Sequence, residues 1–182
     1  MTYPRGFRAG TAACGIKAFT AGAAAIPGGQ KDDLCVIYSQ SPCDTGGVFT
    51  TNKVKSAAVV IDQLHLQRNR VQALTINSGN ANACTGAQGF KDALLIAKLS
   101  ADRLDLDPDQ VLVSSTGVIG RYLPMGAIKP GIAAASTDSR TLKAASAAKR
   151  HSAAVIPGQS IERYSWLECR HPDCKRQAGG LR

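Results

Sequence analysis

Short apolar runs separated by turn residues dominate the chain as far as Ile76. Leu34-Cys35-Val36-Ile37-Tyr38 and Gly47-Val48-Phe49-Thr50-Thr51 flank a turn signal at Pro42 to Gly46 and predict two neighbouring strands. Ala57-Ala58-Val59-Val60-Ile61 and Val71 to Ile76 predict two more, with a polar, basic stretch containing His65, Arg68 and Arg70 between them. Residues 6–17, rich in Gly, Ala and Thr without a helical period, predict irregular chain or a short edge strand.

The period then changes. Thr85-Gly86-Ala87-Gln88 has the T-x-x-Q form of a capping box, and Phe90, Leu94, Ala97, Ala101 and Leu104 recur at helical spacing. An amphipathic helix is predicted to start at Thr85 and to end at Asp107-Pro108. Val111-Leu112-Val113-Ser114-Ser115 predicts a strand that runs directly into Thr116-Gly117. The alanine-rich stretch 126–149 predicts helix in two pieces, with Pro130 in a first turn and Ser136 or Thr137 capping the second. This mixture is α/β or α+β.

Charge alters the picture only at the end of the chain. Of a formal charge of +9, the 34 residues from Lys149 carry +4, from seven Lys/Arg against three Asp/Glu, and no Glu precedes Glu162. Two regions are therefore predicted: 1–149, and a basic tail, 150–182, with no sustained period of either kind. No apolar run approaches the roughly 20 residues that span a bilayer, and no apolar segment of a signal peptide stands near Met1, so a soluble, cytoplasmic protein is expected. Six cysteines at irregular spacings are then expected as thiols.

Three clusters could carry chemistry. Asn77-Ser78-Gly79-Asn80-Ala81-Asn82-Ala83-Cys84-Thr85-Gly86 joins a strand to a helix and can bring backbone amides close to a ligand. It matches neither phosphate-binding glycine motif, and by composition it is first a tight turn in which Asn77, Asn80 and Asn82 bond the backbone. Ser114-Ser115-Thr116-Gly117 offers a hydroxyl beside a glycine amide, a donor pair suited to a tetrahedral oxyanion. Its structural alternative is an ordinary strand-to-turn junction. Cys169-Arg170-His171-Pro172-Asp173-Cys174 has zinc-ligand chemistry but only half a site, and no metal is expected. Elsewhere His65 is expected in a loop and Cys84 as a small packed side chain.

Taken together, the Asn-rich loop and Val111-Leu112-Val113-Ser114-Ser115-Thr116-Gly117-Val118-Ile119-Gly120-Arg121 resemble the signature of the ornithine acetyltransferase family. Gly6-Phe7-Arg8-Ala9-Gly10, Val48-Phe49-Thr50-Thr51-Asn52 and Leu123-Pro124-Met125 support the resemblance, which runs from about residue 5 to 149. It implies an αββα sandwich and a bifunctional enzyme of arginine biosynthesis that moves acetyl from N-acetylornithine to glutamate. Some members also take acetyl from acetyl-CoA, and no resident cofactor is implied. It further implies a precursor that cleaves itself at an Ala-Thr bond, and a freed Thr that forms an acetyl-enzyme. The assembly implied is a heterotetramer of two α and two β chains.

By direct motif match, Thr116 and Gly117 fall on the oxyanion hole, and the resemblance leaves Asn77, Asn80 and Asn82 as support for the site. The family pattern continues through a Thr-Thr-Asp segment, a substrate-binding Lys and an Ala-Thr-Met-Leu cleavage site, none of which occurs here. A truncated gene or a shifted frame near Lys149 is expected, and with it a polypeptide that is catalytically silent by itself. Two other readings stay open at this stage. One is a non-catalytic protein whose basic Cys/His tail binds nucleic acid or metal, and the other is a subunit that pairs with a separately encoded nucleophile chain.

Overall fold

The computed structural model describes residues 6–17, 31–68, 70–138 and 166–168. In chain order its elements are β1 (Phe7–Ala12), β2 (Leu34–Ser39), β3 (Asp44–Gly46), α1 (Ala57–Leu66), β4 (Ala73–Asn80), α2 (Gly86–Leu104), β5 (Val111–Val118), α3 (Met125–Asp138) and β6 (Trp166–Glu168). A 3₁₀ turn at Pro108–Gln110 leads into β5. Four strands form one sheet in the order β1-β2-β4-β5, and β3 pairs separately with β6. The first two pairings of the larger sheet are antiparallel, whereas β4 and β5 are parallel. A parallel pair needs a long crossover, which α2 supplies.

Alternation along the strands sends Leu34, Val36, Ala73, Val111 and Val113 to one face. There they pack with Ala58 of α1, with Ile96, Ala97 and Ala101 of α2, and with Ile128, Ile132 and Ala135 of α3. Leu74 and Leu112 point the other way and join Val71, with Ile37, Leu66 and Ile76 alongside. The described residues thus form a mixed α/β unit whose helices share a core with one face of a four-stranded sheet.

Three expectations change. Residues 57–61 are the first turns of a helix, because Ser56 caps them and accepts from the Val59 amide, while Ala58, Ile61, Asp62 and His65 align on one buried face. A β-branched run was the wrong guide, since a 3.6 period continues past it to His65. Residues 47–51 are not a strand: the pairing lies just before them at Asp44–Gly46, and a Cβ on Gly47 would stand 2.6 Å from Leu66 Cδ1. The alanine-rich segment starts as a single helix at Met125, with Pro130 in its interior and Ser136 and Thr137 inside it rather than capping it. Pro130 withholds one donor from the Gly126 carbonyl, and both residues are exposed to water. Residues 139–149 lie outside the described residues.

The start of α2 also differs. Thr85 occupies the cap position, yet its hydroxyl donates to Asn82 Oδ1 (2.8 Å) and Gln88 donates to Asp92 Oδ1 (2.8 Å), so the capping box does not form. The helix ends at Leu104, before the expected stop, because Asp105 adopts a left-handed conformation and the Leu106 amide returns to the Ala101 carbonyl. The buried stripe keeps Ala97 and Ala101 but turns Leu94 outward.

Among the described residues β5 is an edge strand, and α1 covers its edge. The Val113 amide donates to Asp62 Oδ1 (2.9 Å), and His65 Nδ1 bonds the Val111 carbonyl (2.8 Å). A carbonyl only accepts, so Nδ1 carries the proton. One turn further along, Arg68 pairs with Asp109 at the surface. His65 is therefore a buried helix residue and not a loop residue. Among the described residues, no helix is long and apolar enough to cross a membrane.

Candidate oxyanion site at the ends of β4 and β5

In the parallel register, Asn77, Ser78, Gly79 and Asn80 lie opposite Ser115, Thr116, Gly117 and Val118. The two glycines meet. Gly117 has a φ of 136°, and a Cβ there would overlap the Gly79 carbonyl carbon and the Asn80 nitrogen. Gly79, with a φ of 113°, in turn leaves 3.0 Å between its own absent Cβ and the Lys17 backbone. Thr116 and Gly117 consequently belong to the end of the strand, where the sequence pattern had placed a junction after it. Both are half-buried, so they can face a ligand.

The three asparagines brace this corner. Asn77 Nδ2 donates to the Asn80 carbonyl (2.8 Å), and its Oδ1 accepts from Ser115 Oγ (2.6 Å). Asn80, wholly buried, donates to the carbonyls of Arg121 (3.2 Å) and Tyr122 (3.1 Å) and accepts the Asn82 amide (2.8 Å). Asn82 donates to the Gly89 carbonyl (2.8 Å) and accepts from Thr85. Each amide thus ties the β4–α2 loop to β5, to the chain that follows it, or to α2. Asn82 holds a left-handed φ of 48°, which its residue type tolerates. Thr116 Oγ1 stands outside this network.

The structure therefore brings Thr116, Gly117, Asn77, Asn80 and Asn82 to one end of the parallel pair, the carboxyl end of the strands, where open α/β sheets place ligands. Gly79 and Ser115 were missed as participants. Gly79 stood within the Asn-rich loop, but its place opposite Gly117 is set only when the two strands pair. Lys17 had no signal in the sequence. Cys169, His171 and Cys174 lie outside the described residues, and among those described no group of His, Cys, Asp or Glu could hold a metal ion.

Cys14, Cys35, Cys43 and Cys84 are all thiols rather than disulfides. Burial, then the Asp33 carboxylate, pushes the Cys14 thiol up to about 12, and burial, then Asp32, does the same for Cys35. Cys84 is exposed, in a left-handed turn at the mouth of the loop, and is not the packed side chain expected. In a brief iodoacetamide pulse at pH 8, Cys84 is expected to be alkylated at least about tenfold faster than the other three, since the thiolate is the reactive form. Peptide mapping by mass spectrometry reads the four sites separately. Equal labelling of Cys84 and Cys35 would contradict the burial described here.

The model of the ArgJ family matches residues 8–168. The chain belongs to the ArgJ family. It is 51% identical over 110 residues to arginine biosynthesis bifunctional protein ArgJ 1 of Clostridium acetobutylicum, covering 60% of this chain and 27% of that protein. It is 44% identical over 136 residues to the ArgJ protein of Symbiobacterium thermophilum, covering 75% and 32%. The chain therefore spans about a third or less of the length of these curated relatives. Among solved structures, ArgJ of Bacillus halodurans superposes with a TM-score of 0.70 at 30% identity, covering 89% of this chain and 78% of that one. The ornithine acetyltransferase of Mycobacterium tuberculosis, solved with ornithine, gives a TM-score of 0.71 at 33% identity, covering 87% and 79%. The α/β arrangement of the chain is thus that of ArgJ crystal structures.

Proposed function

We propose that this chain supplies the oxyanion hole for acetyl transfer from N-acetylornithine to glutamate in arginine biosynthesis, with acetyl-CoA as a second donor. The observation that supports the reading is the pairing of Gly117 with Gly79, which puts the consecutive, half-buried Thr116 and Gly117 at the carboxyl end of β5. When a nucleophile attacks the acetyl carbonyl, its oxygen becomes an oxyanion, and donors already fixed in place stabilise it without reorganising. Thr116 Oγ1 and the Gly117 N–H are those donors. Asn77, Asn80 and Asn82 hold the corner and do not touch the substrate.

The nucleophile is the cleavage-site threonine of the family, and the 182 residues contain no Ala-Thr-Met-Leu segment. The polypeptide by itself is expected to form no N-acetylglutamate from N-acetylornithine and glutamate. Two copies of it with two copies of a nucleophile-bearing chain make up the proposed working assembly, placed in the cytoplasm. Co-expression with a chain that carries the cleavage segment is expected to yield transfer. In that pair, Thr116→Val is expected to lower kcat by ~10²–10³-fold, the usual cost of one lost oxyanion donor. A steady-state assay of N-acetylglutamate formation decides the matter: an unchanged kcat removes Thr116 from the mechanism, and transfer by the lone chain overturns the need for a partner.

A further inference from the structure

The covered edge of β5 ends where the proposed oxyanion hole begins. Backbone groups of a strand alternate in direction, and the Gln110 and Val118 carbonyls accept from Gln72 and Ala81 on the β4 side. The odd-numbered set, Val111 and Val113, faces away from β4 and is bonded by α1. Asp62 and His65 on α1 and Arg68 in the turn after it, each three residues apart, meet Val113, Val111 and Asp109, each two residues apart on the strand and its approach. Helix and strand therefore run side by side in opposite directions. The next helix position in this series is Val59, which has no polar group for Ser115, so the side-chain ladder stops at Val113. Gly117 has the same parity as Val113 and lies beyond the ladder.

We propose that Asp62 is a positioning residue for the Thr116–Gly117 pair: by accepting the Val113 amide it pins the free edge of β5 so that the Gly117 N–H faces out of the sheet toward the substrate. The functional half of this statement rests on the acetyl-transfer reading, while the mechanical half does not. Asp62 is the last polar anchor before the site on the edge side, as Asn77 with Ser115 is on the β4 side. Its carboxyl is almost wholly buried, and burial holds it well above the usual carboxylate range even though the Val113 N–H works against that shift. A carboxylate kept in so unfavourable a place makes one bond, to the strand that carries the donors.

The test uses the 182-residue chain, ¹⁵N-labelled, with Asp62→Leu, which removes the acceptor at similar volume, and Asp62→Asn, which keeps an acceptor oxygen. Amide exchange at Val113 is expected to quicken roughly tenfold or more in Asp62→Leu and the Gly117 amide shift to move with it, both to stay near wild type in Asp62→Asn, and the β1–β2 amides to be unchanged in either variant. Fast exchange at Val113 with a wild-type Gly117 amide shift would overturn the proposal. Where Asp62→Leu does not fold, wild type and Asp62→Asn decide it by a pH titration. Gly117 and Val113 amide shifts should then move together with the Asp62 carboxyl in wild type and stay still in Asp62→Asn, which keeps His65 and its bond to Val111. A Gly117 amide that ignores the Asp62 titration also overturns the proposal. Thr116→Val in the co-expressed pair separates the two halves: if kcat is unchanged, the acetyl-transfer reading fails while the exchange result on the 182-residue chain still stands.

Discussion

Gly117→Ala is expected to destabilise the chain by about 4 kcal/mol, from overpacking and left-handed strain together. The new Cβ would land on the Gly79 carbonyl carbon and the Asn80 nitrogen, which are backbone atoms of a paired strand and cannot swing aside as a side-chain tip can. The φ of 136° adds strain for any L side chain even where space exists. Such a loss is a large part of the ~5–15 kcal/mol that holds a domain together. Gly120 is the control: its φ is 78° but nothing lies within 4 Å of its absent Cβ. Gly120→Ala should therefore cost only about 1–2 kcal/mol, the price of a left-handed conformation. Urea midpoints of the two variants decide the point, and a Gly117→Ala midpoint equal to that of Gly120→Ala would mean that the two glycines do not touch as described.

That contact also shows what could be read from the sequence and what could not. β2 and β5 were visible as apolar runs, and both loops were visible as clusters of small polar residues. Their partnership was not visible, because the 4-5 pairing joins residues nearly forty positions apart, and the register that sets Gly79 against Gly117 is a tertiary property. The Asn-rich turn was expected to bond backbone, and it does so. Its partners across the loop, Arg121, Tyr122 and Gly89, follow from the fold and from no local rule. Thr85 illustrates the competition most directly. A capping box satisfies helix amides locally, but the Asn82 side chain offers the Thr85 hydroxyl an acceptor within the same loop, and that bond is the one made.

α1 fails to show in the sequence for a related reason. Its β-branched, apolar first turns fit a strand as well as a helix over five residues, and the distinguishing positions, Asp62 and His65, look like interruptions of an apolar run. Their role is to bond the backbone of β5, so the polar residues that argued against a continuous apolar element are those that fasten it to the sheet. An uncovered edge strand exposes unpaired donors and acceptors, and covering it with a helix is one established way to remove that hazard.

The same carboxylate predicts how stability depends on pH. Burial raises Asp62 from an ordinary 3.8 to about 7, with the Val113 N–H acting in the opposite direction. Between those two values the folded chain holds a proton that the unfolded chain has released, so raising the pH favours unfolding. The contribution of Asp62 is thus most favourable below the unfolded value, declines across the window from about 4 to 7, and levels off above it. At ~1.4 kcal/mol per unit, the full change is on the order of 4 kcal/mol. Asp62→Asn keeps an acceptor for Val113 but carries no charge, so its stability should lack this decline. Urea unfolding of both proteins at pH 5 and pH 8 measures the difference: wild type should lose several kcal/mol relative to Asp62→Asn over that interval. Parallel stability curves would show that Asp62 ionises as freely in the folded chain as in the unfolded one, and the α1–β5 bond would then have to be looser than its 2.9 Å geometry describes.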